Sequence, residues 1–196
     1  LDDMVVVRPR HPLPGSLHFP VRRTLMTLAV ETGLWQLDRT ASTVAVRHKT
    51  MWGLVTVKGA FTSISGQGEV EPDGTAHGTI TLEAASLDTK NAKRDTHLRS
   101  ADFFDVENHP EITFAVRTAE AGPGDTVQVA GQLTVRGISR PQSFTARVTR
   151  ADSDAITLAA EFTADRDQFG MGWNQLSMMR GLTTVTATLR LTRAAA

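Results

Sequence analysis

Residues 127–137, Val127-Gln128-Val129-Ala130-Gly131-Gln132-Leu133-Thr134-Val135-Arg136-Gly137, decide the fold. Val127, Val129, Gly131, Leu133 and Val135 fall on one face, and Gln128, Ala130, Gln132 and Thr134 on the other. That two-residue period belongs to a strand with one side turned to a core. Arg136-Gly137 supplies a turn. Beyond it, Phe144, Ala146 and Val148 resume the alternation, so the chain doubles back within a few residues and pairs antiparallel, since a parallel return needs a long crossover.

The same period extends in both directions. Upstream it sets Val44, Val46 and His48 against Ala45, Arg47 and Lys49, then repeats at Val55/Val57/Gly59/Phe61, Ile80/Leu82 and Ile112/Phe114/Val116. Downstream it returns at Ile156/Leu158/Ala160/Phe162 and Val185/Ala187/Leu189/Leu191. Valine and threonine, both good strand formers, fill these runs. Pro72-Asp73-Gly74, Ala121-Gly122-Pro123-Gly124-Asp125 and Ala151-Asp152-Ser153-Asp154 carry turn chemistry between them. About eight to ten strands joined by short polar turns predict an all-β barrel or sandwich. Only the stretch after Ser86-Leu87-Asp88-Thr89, roughly residues 91–104, reads as a short helical segment.

Composition limits the function. The 196 residues are 40% hydrophobic and 21% charged, enough apolar material for one core. Twenty-one Lys and Arg balance 21 Asp and Glu, so no global field draws the chain to nucleic acid. Cysteine is absent, which excludes disulfides, thiol catalysis and thiolate metal sites. No apolar run reaches the roughly 18–20 residues of a membrane-spanning helix. Residues 1–33 hold Pro9, Pro12, Pro14 and Pro20 without lasting periodicity and read as a poorly ordered extension. Arg22-Arg23 precedes a short apolar stretch that stops at Glu31 with no small-x-small cleavage site, which favours a cytoplasmic over a secreted protein.

A closed barrel of eight strands is just wide enough to hold one small ligand. The inward faces are apolar, so its ligand would be apolar too. The same alternation also fits a sandwich with a filled core, acting as an interaction module.

Several stretches resemble the YceI family, the polyisoprenoid-binding, lipocalin-like proteins of bacteria. Leu34-Trp35-Gln36-Leu37-Asp38 resembles the family's opening motif, and Val46-Arg47-His48 with Val57-Lys58-Gly59-Ala60-Phe61 its next strands. The longest match is Ala85-Ser86-Leu87-Asp88-Thr89, then Arg94-Asp95-Thr96-His97-Leu98-Arg99-Ser100-Ala101-Asp102-Phe103-Phe104-Asp105, running on to His109-Pro110-Glu111-Ile112-Thr113-Phe114. Gly131-Gln132-Leu133-Thr134-Val135-Arg136-Gly137 and Arg166-Asp167-Gln168-Phe169-Gly170 complete it, in order, over residues 34–193, leaving 194–196 as a tail. The resemblance implies an eight-stranded antiparallel lipocalin-like barrel that carries an isoprenoid quinone or a polyprenyl phosphate, with no catalysis and no required cofactor. Family members are often periplasmic, and a homodimer is compatible with the resemblance.

On that basis Val46, His48, Trp52, Val57, Phe61, Leu82, Phe103, Phe114, Val129, Phe162, Phe169, Met171 and Trp173 are expected to line the lumen and its mouth. His48, Arg94, Arg99 and Arg180 are the head-group candidates. His48 has two readings, a polar contact for the ligand or a core histidine tied to a backbone carbonyl. The glycine- and methionine-rich stretch 169–181 reads as a pliable lid or as a plug closing one end. Asp95 and His97 are close enough in sequence for acid–base chemistry on a bound lipid, the enzymatic alternative, but no nucleophile elbow accompanies them. The six histidines show no H-x-H or H-x-x-x-H spacing, so no metal site is expected.

Overall fold

The computed structural model describes residues 30–174, 179 and 181–194. Most of the expected N-terminal extension and the last two residues of the tail lie outside them. The strands are β1 (Gly33–Leu37), β2 (Thr43–Thr50), β3 (Val55–Phe61), β4 (Ile64–Val70), β5 (Ala76–Glu83), β6 (Leu87–Asp88), β7 (Glu111–Ala121), β8 (Thr126–Val135), β9 (Ile138–Ala151), β10 (Ala155–Ala164) and β11 (Thr183–Arg193). Every pairing among them is antiparallel. The order β1-β4-β5-β7-β8-β9-β10-β11 returns to β1, so eight strands close into a barrel.

Three of the remaining segments are continuations. β1 pairs with the end of β11 at Leu191–Arg193, and β2 pairs with its beginning at Thr184–Thr188, so β1 and β2 are two halves of one bent strand. The bend lies at residues 38–42, where the Asp38 carboxylate accepts hydrogen bonds from the Thr40 amide (2.9 Å), the Thr40 hydroxyl (2.7 Å) and the Ala41 amide (3.2 Å). Such an Asx turn offers the backbone a local alternative to the ladder and breaks the strand there. The Ser42 hydroxyl then accepts the Arg190 amide at 2.9 Å and stitches the bend to β11. β3 and β4 are related in the same way, with β4 on β5 and β3 on the short β6.

One helix interrupts the strands. α1 (Ala92–Arg99) is capped by Asn91, whose side chain accepts the Arg94 amide at 3.0 Å. It is shorter than the expected 91–104, because turns replace helix after Ser100, where the Phe103, Phe104 and Asp105 amides bond back to Ser100, Leu98 and Ser100 carbonyls. With few apolar residues of its own, α1 is held on the barrel by the two phenylalanines of those turns. Phe103 is buried, and Phe104 lies edge-on to Phe61 at 6.4 Å.

Inside, the alternation predicts the faces correctly. At the end away from α1, Trp35, Val148 and Ile156 pack into a small cluster with Val30 against it, and the Trp35 indole donates to the Glu31 carbonyl at 3.0 Å. At the other end the larger cluster gathers Phe61, Leu82, Leu87, Ile112, Leu133, Val135, Phe169 and Met171.

Candidate ligand-binding site

The inward side chains do not fill the barrel. A chamber of about 860 Å³ occupies the half nearest α1, and a second of about 360 Å³ occupies the half nearest Trp35. Ile80, Phe114, Phe144, Ala187 and Leu189 face both, so one layer of side chains separates the two. Aromatic rings dominate its packing. Phe144 stacks on Phe162 with centroids 4.7 Å apart and planes 9° from parallel, and Phe114 sits 5.4 Å from Phe144. Gly131 makes the shelf possible, because a Cβ there would lie 2.9 Å from the Phe114 ring and 2.3 Å from the Ala115 carbonyl oxygen.

Of the residues expected to line the lumen, Val46, His48, Val57, Phe61, Leu82, Phe103, Phe114, Phe162, Phe169, Met171 and Trp173 line the larger chamber. Val129 lines the smaller one. Trp52 lines neither chamber and is 62% exposed, because the β2–β3 turn carries it away from the inward face of either strand, beside Met51, which does line the larger one. Among the head-group candidates, Arg99 is a correction, since it is exposed and its Nε donates to the Ala85 carbonyl at 2.9 Å, on the outside. Arg94 reaches the chamber wall, yet its guanidinium is occupied by the Thr89 hydroxyl (2.7 Å) and carbonyl (2.8 Å). Arg180, with residues 175–178 of the expected lid or plug, lies outside the described residues.

The Asp95–His97 pairing does not form. Buried Asp95 accepts the Thr89 amide at 3.1 Å and the Thr89 hydroxyl, while His97 Nε2 lies 3.0 Å from Asp102 and its ring stands edge-on to both Phe103 and Trp173. Asp95 and Arg94 both converge on Thr89 and tie the start of α1 to the end of β6. Their geometry is that of a structural clasp.

The polar groups of the larger chamber collect at its α1 end. There His48 Nδ1 sits 3.0 Å from the Thr183 hydroxyl, and His48 Nε2 is buried with no hydrogen-bond partner among the described residues. The same chamber holds Arg166, which in the sequence belongs to a recognisable motif but carries no mark of the site. Arg166 is 7% exposed, donates Nη2 to the Trp173 carbonyl at 2.9 Å, reaches the Met179 sulfur at 3.8 Å and lies over the Phe103 ring at 5.9 Å. Its nearest carboxylate among the described residues is Asp167, an exposed side chain 3.7 Å away. A buried cation with such a weak counter-charge, beside an orphaned imidazole nitrogen, leaves positions that a polar head group can fill.

Burial, followed by the positive charge of Arg166, lowers the His48 pKa from its ordinary value near 6.5, with Asp167 acting weakly the other way. The imidazole is therefore neutral at neutral pH. The unfolded chain takes up the proton first, so this histidine stabilises the fold above its ordinary pKa, and that stability is lost as pH falls below 6.5. Urea denaturation over that range should show a decline that His48→Gln reduces, and an unchanged slope in the variant would contradict the assignment.

A model of the "YceI-like domain" matches residues 35–192. The chain belongs to the YceI family. UPF0312 proteins of Staphylococcus aureus strains USA300 and MSSA476 are each 29% identical to this YceI chain over 127 residues, covering 61% of it and 71% of themselves. Among solved structures, Burkholderia cenocepacia BcnA superposes with a TM-score of 0.71 at 22% identity, covering 79% of this chain and 98% of its own. A polyisoprenoid binding domain from Saccharophagus degradans, implicated in plant cell wall breakdown, gives 0.67 at 16% identity, covering 82% and 98%. At those identities the likeness shows a shared fold. No described helix of this YceI barrel is long and apolar enough to cross a membrane.

One surface feature has no signal in the residue spacing. On the β4–β5 hairpin, Glu69, Glu71 and His77 bring ligand-type atoms within 4.8 Å of one another. The strands hold them there, since Glu69 and His77 are register partners and His77 lies 3.8–3.9 Å from both carboxylates.

Proposed function

We propose that this YceI-family barrel sequesters one long apolar chain, an isoprenoid quinone or a polyprenyl phosphate, and carries it without chemical change. The observation that supports this reading is the shape and polarity of the larger chamber: about 860 Å³, apolar along its length, with its buried cation and an imidazole Nε2 that has no partner among the described residues at one end. Such a space matches an amphipathic molecule with a long tail. Burial yields roughly 25 cal/mol per Å2 of apolar area, so a tail hiding a few hundred Å2 gains several kcal/mol before ordering costs. That the Saccharophagus domain is described as polyisoprenoid binding points to the same class of tail. The enzymatic alternative loses its pair, because Asp95 and His97 serve different partners.

Organic extraction of the purified protein followed by mass spectrometry is the direct test. One isoprenoid per chain is the expected result. An empty extract, or straight-chain fatty acids alone, would overturn the reading.

A further inference from the structure

The β2–β3 turn is built against the usual preferences of its residues. Met51 and Trp52, neither of them glycine, hold φ values of 51° and 54°, followed by Gly53 at 94°. Side chains rarely adopt that left-handed region, and consecutive instances are rarer still. The effect of the geometry is to push apolar groups into solvent. Trp52 is 62% exposed and Leu54 83%, while Leu182, next to the Thr183 that meets His48, is 53% exposed on the adjoining strand's approach. Scattered exposed apolar residues are ordinary, but these sit together on one rim.

That rim is the mouth of the lumen. Met51 and Val55 line the larger chamber and are also 43% and 42% exposed, so the chamber reaches the surface between them. Behind the tip lies a basic belt. Arg47 and Lys58 are register partners on the outward faces of β2 and β3, with Lys49 beside them, all exposed. Like charges placed directly opposite across two strands repel, and here only Glu161, 3.8 Å from Arg47, offsets them among the described residues. Lysine and arginine behind a tip of tryptophan, leucine and methionine form the pattern of an interfacial anchor: the apolar groups enter the acyl boundary and the cations meet phosphate.

We propose that this rim docks on the surface of an anionic lipid bilayer. Trp52 and Leu54 insert, Lys49 and Lys58 contact the head groups, and the mouth opens into the acyl region. An apolar chain then passes between bilayer and lumen without crossing water. The inference deepens the carrier reading and rests on it for its purpose, though the docking itself is separately measurable.

The test is flotation of the full chain with vesicles of phosphatidylcholine alone and of phosphatidylcholine mixed with phosphatidylglycerol, at low and high salt. Binding to the mixed vesicles that weakens with salt is expected, with at least a tenfold loss in W52S/L54S and a comparable loss in K49E/K58E. Both pairs are exposed and outside the chambers, so unchanged circular dichroism and unchanged uptake of farnesol should accompany the loss. Failure of the wild type to float, or equal flotation of W52S/L54S, overturns the proposal. Concentration-dependent self-association that W52S/L54S abolishes, without flotation, also overturns it and assigns the rim to a second copy. Flotation by a protein that takes up no farnesol would leave the docking standing and remove the carrier reading instead.

Discussion

Phe114→Glu should lower the stability of the barrel by more than about 4 kcal/mol and abolish uptake of an apolar chain, while Thr113→Glu, one residue away, should change stability by no more than about 1 kcal/mol. The two sites differ in the face they occupy. Phe114 lies between the two chambers, 5.4 Å from Phe144 and against Gly131, where a carboxylate meets apolar walls. Removing the ring forfeits its packing, and the introduced charge must either stay unpaired or take up a proton. Thr113 aligns with Thr81 and Thr134 on the opposite face, a row of threonines where a glutamate reaches water. Urea denaturation supplies the stabilities and farnesol binding the function. Acid should narrow the gap between Phe114→Glu and wild type, since the neutral carboxyl is easier to bury. Equal tolerance at both positions would mean that the faces of β7 are reversed, and the lumen with them.

The alternation that makes this prediction possible was legible because each strand buries one face, and a shift of one residue would expose the whole apolar set. Where glycines interrupt the inward face, the pattern fades. β4 reads Ile64-Ser65-Gly66-Gln67-Gly68-Glu69-Val70, and its glycines are structural: a Cβ at Gly66 would stand 2.6 Å from the Ile80 side chain, and one at Gly68 2.8 Å from the His77 carbonyl oxygen. The neighbouring strand fills the space that β4 leaves, so the apolar contribution appears in the sequence of β5. Turn geometry was hidden for a different reason. Nothing in Thr50-Met51-Trp52-Gly53 announces left-handed φ at two non-glycine residues, and that backbone is what turns Trp52 outward. Arg166 was legible as a motif and illegible as a site, because whether an arginine is solvated or buried depends on the Trp173 carbonyl and the Met179 sulfur, which reach it from later in the chain.

Arg166→Met should leave the empty barrel within about 1 kcal/mol of wild-type stability and weaken binding of farnesyl phosphate roughly tenfold to a hundredfold, with farnesol nearly unaffected. The difference between the two ligands comes from what a buried charge costs when nothing is bound. Desolvating a guanidinium is unfavourable, and its compensation among the described residues is a carbonyl, a thioether, a phenyl ring and one exposed carboxylate. Methionine keeps much of the length and the contact with Phe103 and sheds the charge, so the loss of the hydrogen bond to Trp173 is offset by the easier burial. An anionic head group reverses the balance, because charge-assisted hydrogen bonds to a buried cation contribute about 1.5–3 kcal/mol each. If His48 Nε2 contacts the same head group, His48→Leu should add a smaller loss confined to the phosphate ligand. A purely structural arginine gives the opposite signature: Arg166→Met would lower the melting temperature sharply and weaken farnesol and farnesyl phosphate together. Titrating both ligands into wild type and variant, beside a thermal melt of each, separates the two cases.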